Sequence, residues 1–198
     1  MKKLTLLLVL TALPASAQSY EVGVFLGQNT YKAQTIGGVE FKPETKTVAA
    51  ARLGFSIVDL GPALFEFTVG YQPKAKTPVE ANGSPTPLDY GHEYWSAGLM
   101  FNFKAFVAVG AGVEYRGERL TLEGPGVNER ATYGRPWARV NVGLSFPTPL
   151  VKPFIGVEAA APLSSQSVSE VDYLSDPAKA LKSHAPNFQV GVYGGIRF

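Results

Sequence analysis

The sequence predicts an all-β chain, an eight-stranded antiparallel up-and-down transmembrane β-barrel. Three observations predict it. Apolar and polar residues alternate along eight stretches, the connections between the stretches are alternately long and short, and no apolar run is long enough for a membrane-spanning helix. Only 17% of the 198 residues are charged, against roughly 25% in soluble domains. This composition excludes an intrinsically disordered chain.

The first residues have the pattern of a secretory signal peptide. Lys2 and Lys3 precede an apolar run from Leu4 to Leu13, and Ala15-Ser16-Ala17 follows as a cleavage pattern. The run is about half of the ~20 residues that a spanning helix needs. We therefore expect residues 1–17 to be a signal peptide and residues 18–198 to be one barrel domain. Cleavage lowers Lys+Arg from 18 to 16, which equals the Asp+Glu count of 16, and a neutral chain argues against a nucleic-acid partner.

The alternation of period two is visible in each of the eight stretches. In the sixth, Val140, Val142 and Leu144 face one side of the strand while Arg139 and Asn141 face the other. No charged residue interrupts any of the eight apolar faces, and most stretches reach the ~9–11 residues that cross a bilayer at a tilt. In chain order, the predicted strands are Tyr20–Gly27, Ala49–Ile57, Ala63–Gln72, Tyr94–Phe103, Ala105–Arg116, Trp137–Phe146, Phe154–Ala161 and Phe188–Phe198.

The connections alternate in length, as they do in an up-and-down barrel. Long connections are predicted near 29–46, 73–90, 123–132 and 162–186, and short ones near 58–62, at Lys104 and near 147–151. An even number of strands places both termini at the end with the short turns. The stretch 73–91 is rich in Pro, Gly and Thr, which predicts a loop.

The polar faces collect many glycines and eight charged residues, four of each sign. A soluble lipocalin-like barrel would turn these faces outward, whereas a membrane barrel turns them inward because lipid surrounds its outside. Small residues and balanced charges fit the narrow interior of eight strands. We therefore predict a membrane barrel with a structural interior ion-pair network of Glu21, Arg52, Glu66, Glu114, Arg116, Arg139, Glu158 and Arg197. A narrow, gated ion path through these residues is the alternative.

Aromatic residues near the strand ends suggest two interfacial girdles. The girdle at the long-connection end is predicted from Tyr71, Tyr90, Trp95, Tyr115 and Tyr133. The girdle at the short-turn end is predicted from Tyr20, Phe55, Phe65, Phe103, Phe146 and Phe198.

The C-terminal segment Gln189–Phe198 resembles the terminal strand signal of bacterial outer-membrane β-barrels. Val190, Val192, Ile196 and Phe198 match the alternating apolar positions and the terminal aromatic residue, and Gly194 is a weaker match. Together with the signal peptide and the eight strands, this resembles the small OmpA-like and OmpX-like barrels. The resemblance implies insertion by the barrel-assembly machinery into the outer membrane of a Gram-negative-type envelope, in contact with its lipid, as a monomer.

Candidate catalytic residues are few. Some small outer-membrane barrels modify lipids, which requires a nucleophile beside a general base. The two histidines, His92 near a strand start and His184 in the last connection, are the candidates, but no serine has the spacing of the lipid A deacylases. Glu170, Asp172 and Asp176 lack the spacing of a calcium loop. We therefore expect no catalytic residue, metal or cofactor.

Three functional hypotheses remain at this point. The favoured one is a non-enzymatic outer-membrane barrel that contributes to envelope structure or binds an extracellular ligand through its long loops. The second is a narrow channel for ions or small solutes, and the third is a lipid-modifying enzyme that uses His92 or His184.

Overall fold

The computed structural model describes residues 19–146, 148–165 and 169–198. The predicted signal peptide and its cleavage site lie outside the described residues and stay predictions. Ten strands are present: β1 Tyr20–Tyr31, β2 Gln34–Ile36, β3 Val39–Pro43, β4 Lys46–Leu60, β5 Ala63–Ala81, β6 Ser84–Lys104, β7 Val107–Gly124, β8 Val127–Ser145, β9 Lys152–Pro162 and β10 Pro186–Arg197. Two short helices precede β10, α1 Glu170–Ser175 and α2 Pro177–Ser183.

Eight of these strands close into a ring. Each strand of the ring pairs antiparallel with its neighbours in the order β1-β4-β5-β6-β7-β8-β9-β10, and β10 returns to β1 with Glu21 opposite Arg197. Closure leaves no unpaired edge within the ring. The predicted fold class, an eight-stranded antiparallel barrel, is confirmed. The remaining pair, β2 and β3, forms a small hairpin that adds to the far end of β5.

The apolar face of each strand points away from the barrel axis. On β8, Val140 is 53% exposed whereas its neighbour Arg139 is 3% exposed. An apolar exterior and a polar interior are what a hydrocarbon solvent requires. Among the described residues, neither helix has the length and apolar character needed to cross a membrane.

Three of the four connections predicted to be long are largely β-structure: 29–46 contains β2 and β3, and two others consist almost wholly of strand. The stretch predicted as a Pro-rich loop continues β5 and β6 to a two-residue turn at Asn82-Gly83, where both residues have positive φ, 49° and 75°. Such a turn favours Asn-Gly because it needs two left-handed residues. The prolines that suggested a loop lie at irregularities, with register shifts between Gln72 and Ala75 and between Pro78 and Glu80. Stretch 123–132 likewise holds only a Pro125-Gly126 turn between β7 and β8.

The barrel is therefore much taller on one side. β5, β6, β7 and β8 continue past the exposed aromatic residues Tyr71 and Trp95, and we call this extension the wall. In β5 it runs from Gln72 to Ala81, about 25 Å at the rise and tilt of barrel strands. On the outer face of the wall, Arg119 forms an ion pair with Glu93, and the Arg119 side chain is 64% exposed. The outer face of the wall is therefore exposed to water.

The helices α1 and α2 form a cap against the inner face of the wall. Leu181 and Ala185 pack with Val79, Tyr90 and Leu120 in an apolar core above the polar lumen. Tyr90 was predicted in the outer aromatic girdle, and this prediction is wrong: it is 1% exposed and faces inward. The reason is that β6 begins before position 90, so Tyr90 lies on the same inner face of the strand as His92 and Tyr94.

Candidate functional site

The lumen near the short-turn end is occupied by a cluster around a lysine. Lys104 Nζ contacts the carboxylate of Glu21 and lies 3.6 Å from Glu66 Oε2. Glu21 also accepts a hydrogen bond from the Tyr193 hydroxyl, and Glu66 accepts one from Asn102. The prediction that Lys104 is a short connection is therefore wrong, because Lys104 ends β6 and its buried side chain turns inward to these two carboxylates.

Arginines and glutamates alternate through the middle of the lumen. Glu158 contacts Arg52, and its Oε2 lies 3.9 Å from Arg139 Nε. Glu114 bridges the next two cations, with Oε2 3.1 Å from Arg139 Nη1 and Oε1 2.6 Å from Arg116 Nε. All five side chains are at most 3% exposed. Each of these two carboxylates, Glu158 and Glu114, thus faces two guanidinium groups.

Arg197 differs from the other predicted interior residues. It is buried at 5% exposure, but its Nε and Nη1 have no hydrogen-bond partner in the part of the chain that the structure describes. Of the eight predicted residues, seven take part in the ion pairs described above, and Arg197 lies in the same lumen without an ion pair to any residue that the structure describes.

An amide-rich layer lies above the ion pairs. Gln189 accepts a hydrogen bond from Arg116 at 2.9 Å and donates to Asn29 and Gln72 at 2.9 and 3.1 Å. The amide groups of Asn29 and Gln72 approach His92 Nδ1 at 3.3 and 3.2 Å. His92 is fully buried. Its ring therefore belongs to a hydrogen-bonded layer across the lumen.

A second buried pair closes the top of this layer. Arg135 Nε and Nη2 each donate to a carboxylate oxygen of Glu118 at 3.1 Å, the bidentate geometry that guanidinium groups favour. Trp137 Nε1 donates to the same carboxylate at 2.9 Å. The Arg116 guanidinium lies 4.0 Å from the centre of the Trp137 ring and 4.3 Å from that of Tyr94. Aromatic faces thus cover a cation whose Nη1 has no other partner among the described residues.

Together, these layers leave little free space at membrane depth. The cavity among Glu66, Arg139 and Glu158 measures about 10 Å³, which is about the volume that one water needs.

Solved structures with the same architecture exist. A major outer membrane protein of Thermus thermophilus is similar to 92% of this chain over 99% of its own, with a TM-score of 0.55 at 11% identity. Ail, the attachment invasion locus protein of Yersinia pestis, solved with the heparin analogue sucrose octasulfate, is similar to 91% of this chain over 99% of its own, with a TM-score of 0.50 at 11% identity. Neither a protein-family profile nor a curated protein sequence matches this chain.

The chain has the fold of a small outer-membrane β-barrel. The likeness at this level of identity concerns the fold, and the apolar outer surface agrees with it. This fold and the apolar outer surface fit a bacterial outer membrane. In barrels of this fold the short turns face the periplasm, so we expect the wall and the cap on the extracellular side.

The predicted assembly signal of this outer-membrane barrel forms the strand that closes the ring. Val192 and Ile196 lie opposite Leu26 and Val22 of β1, and Gly194 opposite Val24. The outward residues Val192 and Phe198 are 50% and 52% exposed, and Val190 pairs with Gln28 and Ala159. Recognition of this strand by the assembly machinery stays a prediction.

The extracellular cap is held by its histidine. His184 Nδ1 lies 3.3 Å from the Lys32 carbonyl, which can only accept, so Nδ1 carries the proton and Nε2 accepts the 2.8 Å bond from the Tyr173 hydroxyl. Burial lowers the pKa of His184 to about 4, although the bond to the carbonyl opposes this. Asp176 caps α2 by accepting from the backbone N–H groups of Ala178 and Lys179 at 3.0 and 3.1 Å.

Sequence reasoning missed several interior residues of the barrel. Glu118 and Arg135 lie beyond the predicted strand ends, and Lys104 was assigned to a turn. One signal could have found the first two: each continues the inward alternation of its strand, at two residues from Arg116 and from Trp137. The amides carry the same signal, since Gln72 and Gln189 lie on the predicted inward faces and Asn29 follows Gly27 by two residues, but alternation does not show that they bond to one another.

Proposed function

We propose that this chain is a sealed, non-enzymatic outer-membrane barrel that presents its wall and cap for interactions at the cell surface. The observation that carries the proposal is the filled lumen. Ion pairs, an amide layer and a bidentate Arg135–Glu118 pair succeed one another along the axis. A barrel of eight strands has an interior that side chains can fill, and buried charges of both signs hold one another in place.

The placement of the histidines supports a non-enzymatic role. His92 Nδ1 faces two amide groups, and its Nε2 lies 3.8 Å from Glu118 Oε2 inside the barrel. His184 is engaged at both nitrogens by Tyr173 and the Lys32 carbonyl. General-base catalysis needs a nucleophile within hydrogen-bond reach. Among the described residues no hydroxyl bonds to His92, whose Nε2 has no hydrogen-bond partner, and the hydroxyl that bonds to His184 belongs to Tyr173 of the cap.

The extracellular side supports the surface role. The wall raises charged residues above the membrane, where Lys76 Nζ lies 2.6 Å from Glu123 Oε2 and Arg119 Nη1 2.7 Å from Glu93 Oε1. A rigid β-structure loses less conformational entropy on binding than a flexible loop. That Ail was solved with a heparin analogue makes an extracellular ligand a reasonable expectation for a barrel of the same fold.

Conductance tests the sealed lumen. In planar bilayers we expect the purified protein to give no steady conductance steps, and a double variant that removes two central cations, Arg52→Gly with Arg139→Gly, to give them if it folds. Regular steps from the unaltered protein would refute a sealed barrel and favour the narrow channel.

A wall deletion tests the surface role. Replacing residues 76–91 with Asn-Gly keeps the Ala75–His92 pairing and should leave a folded, heat-modifiable barrel. Cells that display this variant should bind less to coated surfaces or to other cells than cells with the full wall. Ala111→Phe, which changes only the lipid-facing side of β7, is the control. Unchanged binding by the deletion variant at equal display would refute a role for the wall.

A further inference from the structure

A cavity of about 280 Å³ lies on the extracellular side, between the inner face of the wall and the cap. Its lining is mainly aliphatic and aromatic. The wall and the β2–β3 hairpin contribute Phe41, Val79, Leu88 and Leu122, and the cap contributes Ala180 and Leu181. Glu129 and Pro177 also line it and are exposed to solvent, so the cavity is reachable from outside.

The size and lining of this cavity favour an organic ligand. Protein interiors are packed with few voids larger than a water, and an ordered water needs two to four polar partners. An apolar cavity of about 150 Å³ holds a benzene molecule, so this one holds a molecule of roughly a dozen heavy atoms. Its volume is close to the lower end of small-molecule pockets, about 300 Å³.

The polar groups that line the cavity leave its interior apolar. The Tyr90 hydroxyl is fully buried, and the Tyr90 ring packs edge-to-face on Tyr31 at 5.4 Å. The Tyr173 hydroxyl and His184 Nε2 bond to each other at 2.8 Å. The Glu129 carboxylate at the exposed side disfavours an anionic head group.

We propose that this cavity binds a neutral, apolar small molecule. The proposal goes beyond the surface role above, since it concerns a small molecule beneath the cap and holds whether or not the wall binds another cell.

The test uses 1-octanol as the probe and methyl-labelled leucines as reporters, with the full barrel in lipid nanodiscs. We expect saturable NMR shift changes, and nuclear Overhauser contacts to octanol, at Leu88, Leu122 and Leu181. Leu26 and Leu53 face the lipid and are 57% and 45% exposed. Their methyl shifts report octanol that dissolves in the lipid, and these shifts should change without saturation. Changes at the lipid-facing leucines alone would overturn the proposal.

Two variants localise the binding. Ala180→Phe fills the cavity and should abolish the saturable changes, whereas Ala111→Phe on the lipid-facing side should preserve them. Saturable binding that survives Ala180→Phe would overturn the proposal.

Discussion

Replacing Glu114 by glutamine should strongly destabilise the barrel. Glu114 is the only carboxylate among the described residues within 4 Å of both Arg116 and Arg139, at 2.6 and 3.1 Å, and its side chain is 1% exposed. Glutamine keeps the volume but removes the charge. Removing one partner of a buried ion pair costs about 3–5 kcal/mol. We expect the lower end of this range, because Arg139 keeps Glu158 at 3.9 Å and Arg116 keeps Gln189 at 2.9 Å.

The assay is reversible urea unfolding in lipid vesicles, followed by tryptophan fluorescence and by heat-modifiability on gels. A loss of about 3 kcal/mol corresponds to a change of roughly 150-fold in the unfolding equilibrium. The matched control is Glu93→Gln, which breaks a pair of similar length, 2.7 Å, to an exposed arginine and should cost at most about 1 kcal/mol. Equal losses in the two variants would refute the view that interior ion pairs stabilise the barrel.

Three further predictions concern other parts of the chain. Gly83→Ala places a side chain at a φ of 75° and should cost about 1–2 kcal/mol locally, so amide exchange at Ala81 should accelerate about tenfold while Ser84→Ala leaves it unchanged. Because burial lowers the pKa of His184 to about 4 from 6.5, the folded cap binds fewer protons than the undocked cap. The packing of the cap against the wall should therefore be fully stable above about pH 6.5 and should weaken as the pH falls to about 4. A spin label at Leu174→Cys should therefore gain mobility over this pH range, and it should not do so when His184→Gln is added. If the mobility did not change with pH while His184 is present, His184 would not control the packing of the cap. Phe198→Ser should lower the amount of barrel assembled in cells without slowing refolding of the purified protein, whereas Phe146→Ser should assemble normally.

The membrane-spanning part of the fold could be predicted because two solvents act on opposite faces of each strand. Val140 and Arg139 are adjacent in sequence but face hydrocarbon and lumen, and this contrast repeats with period two. The same alternation identified eight interior charges from the sequence, although Lys104, Glu118 and Arg135 were missed. It did not reveal their pairing, since Glu158 reaches Arg52 across a sequence separation of 106 residues.

The extracellular part was harder to predict because the cues conflict there. Pro73 and Pro78 suggested a loop, yet the strand accommodates them with register shifts, and the Asn82-Gly83 turn was the stronger signal. The cap cavity combines the segments 41–43, 79–90, 122–129 and 173–184. Only the closed tertiary structure brings these segments together, and none carries a local pattern that indicates a pocket.

Spin labels along one strand test the central claim most directly. The chain has no cysteine, so single cysteines at positions 138–144 of β8 can be labelled one at a time and their collision with dissolved oxygen measured in vesicles. Oxygen concentrates in hydrocarbon, so we expect high accessibility at Val140, Val142 and Leu144 and low accessibility at Arg139, Asn141 and Gly143. An absent or inverted alternation would contradict a barrel that turns its apolar face to lipid and its charges to a sealed lumen.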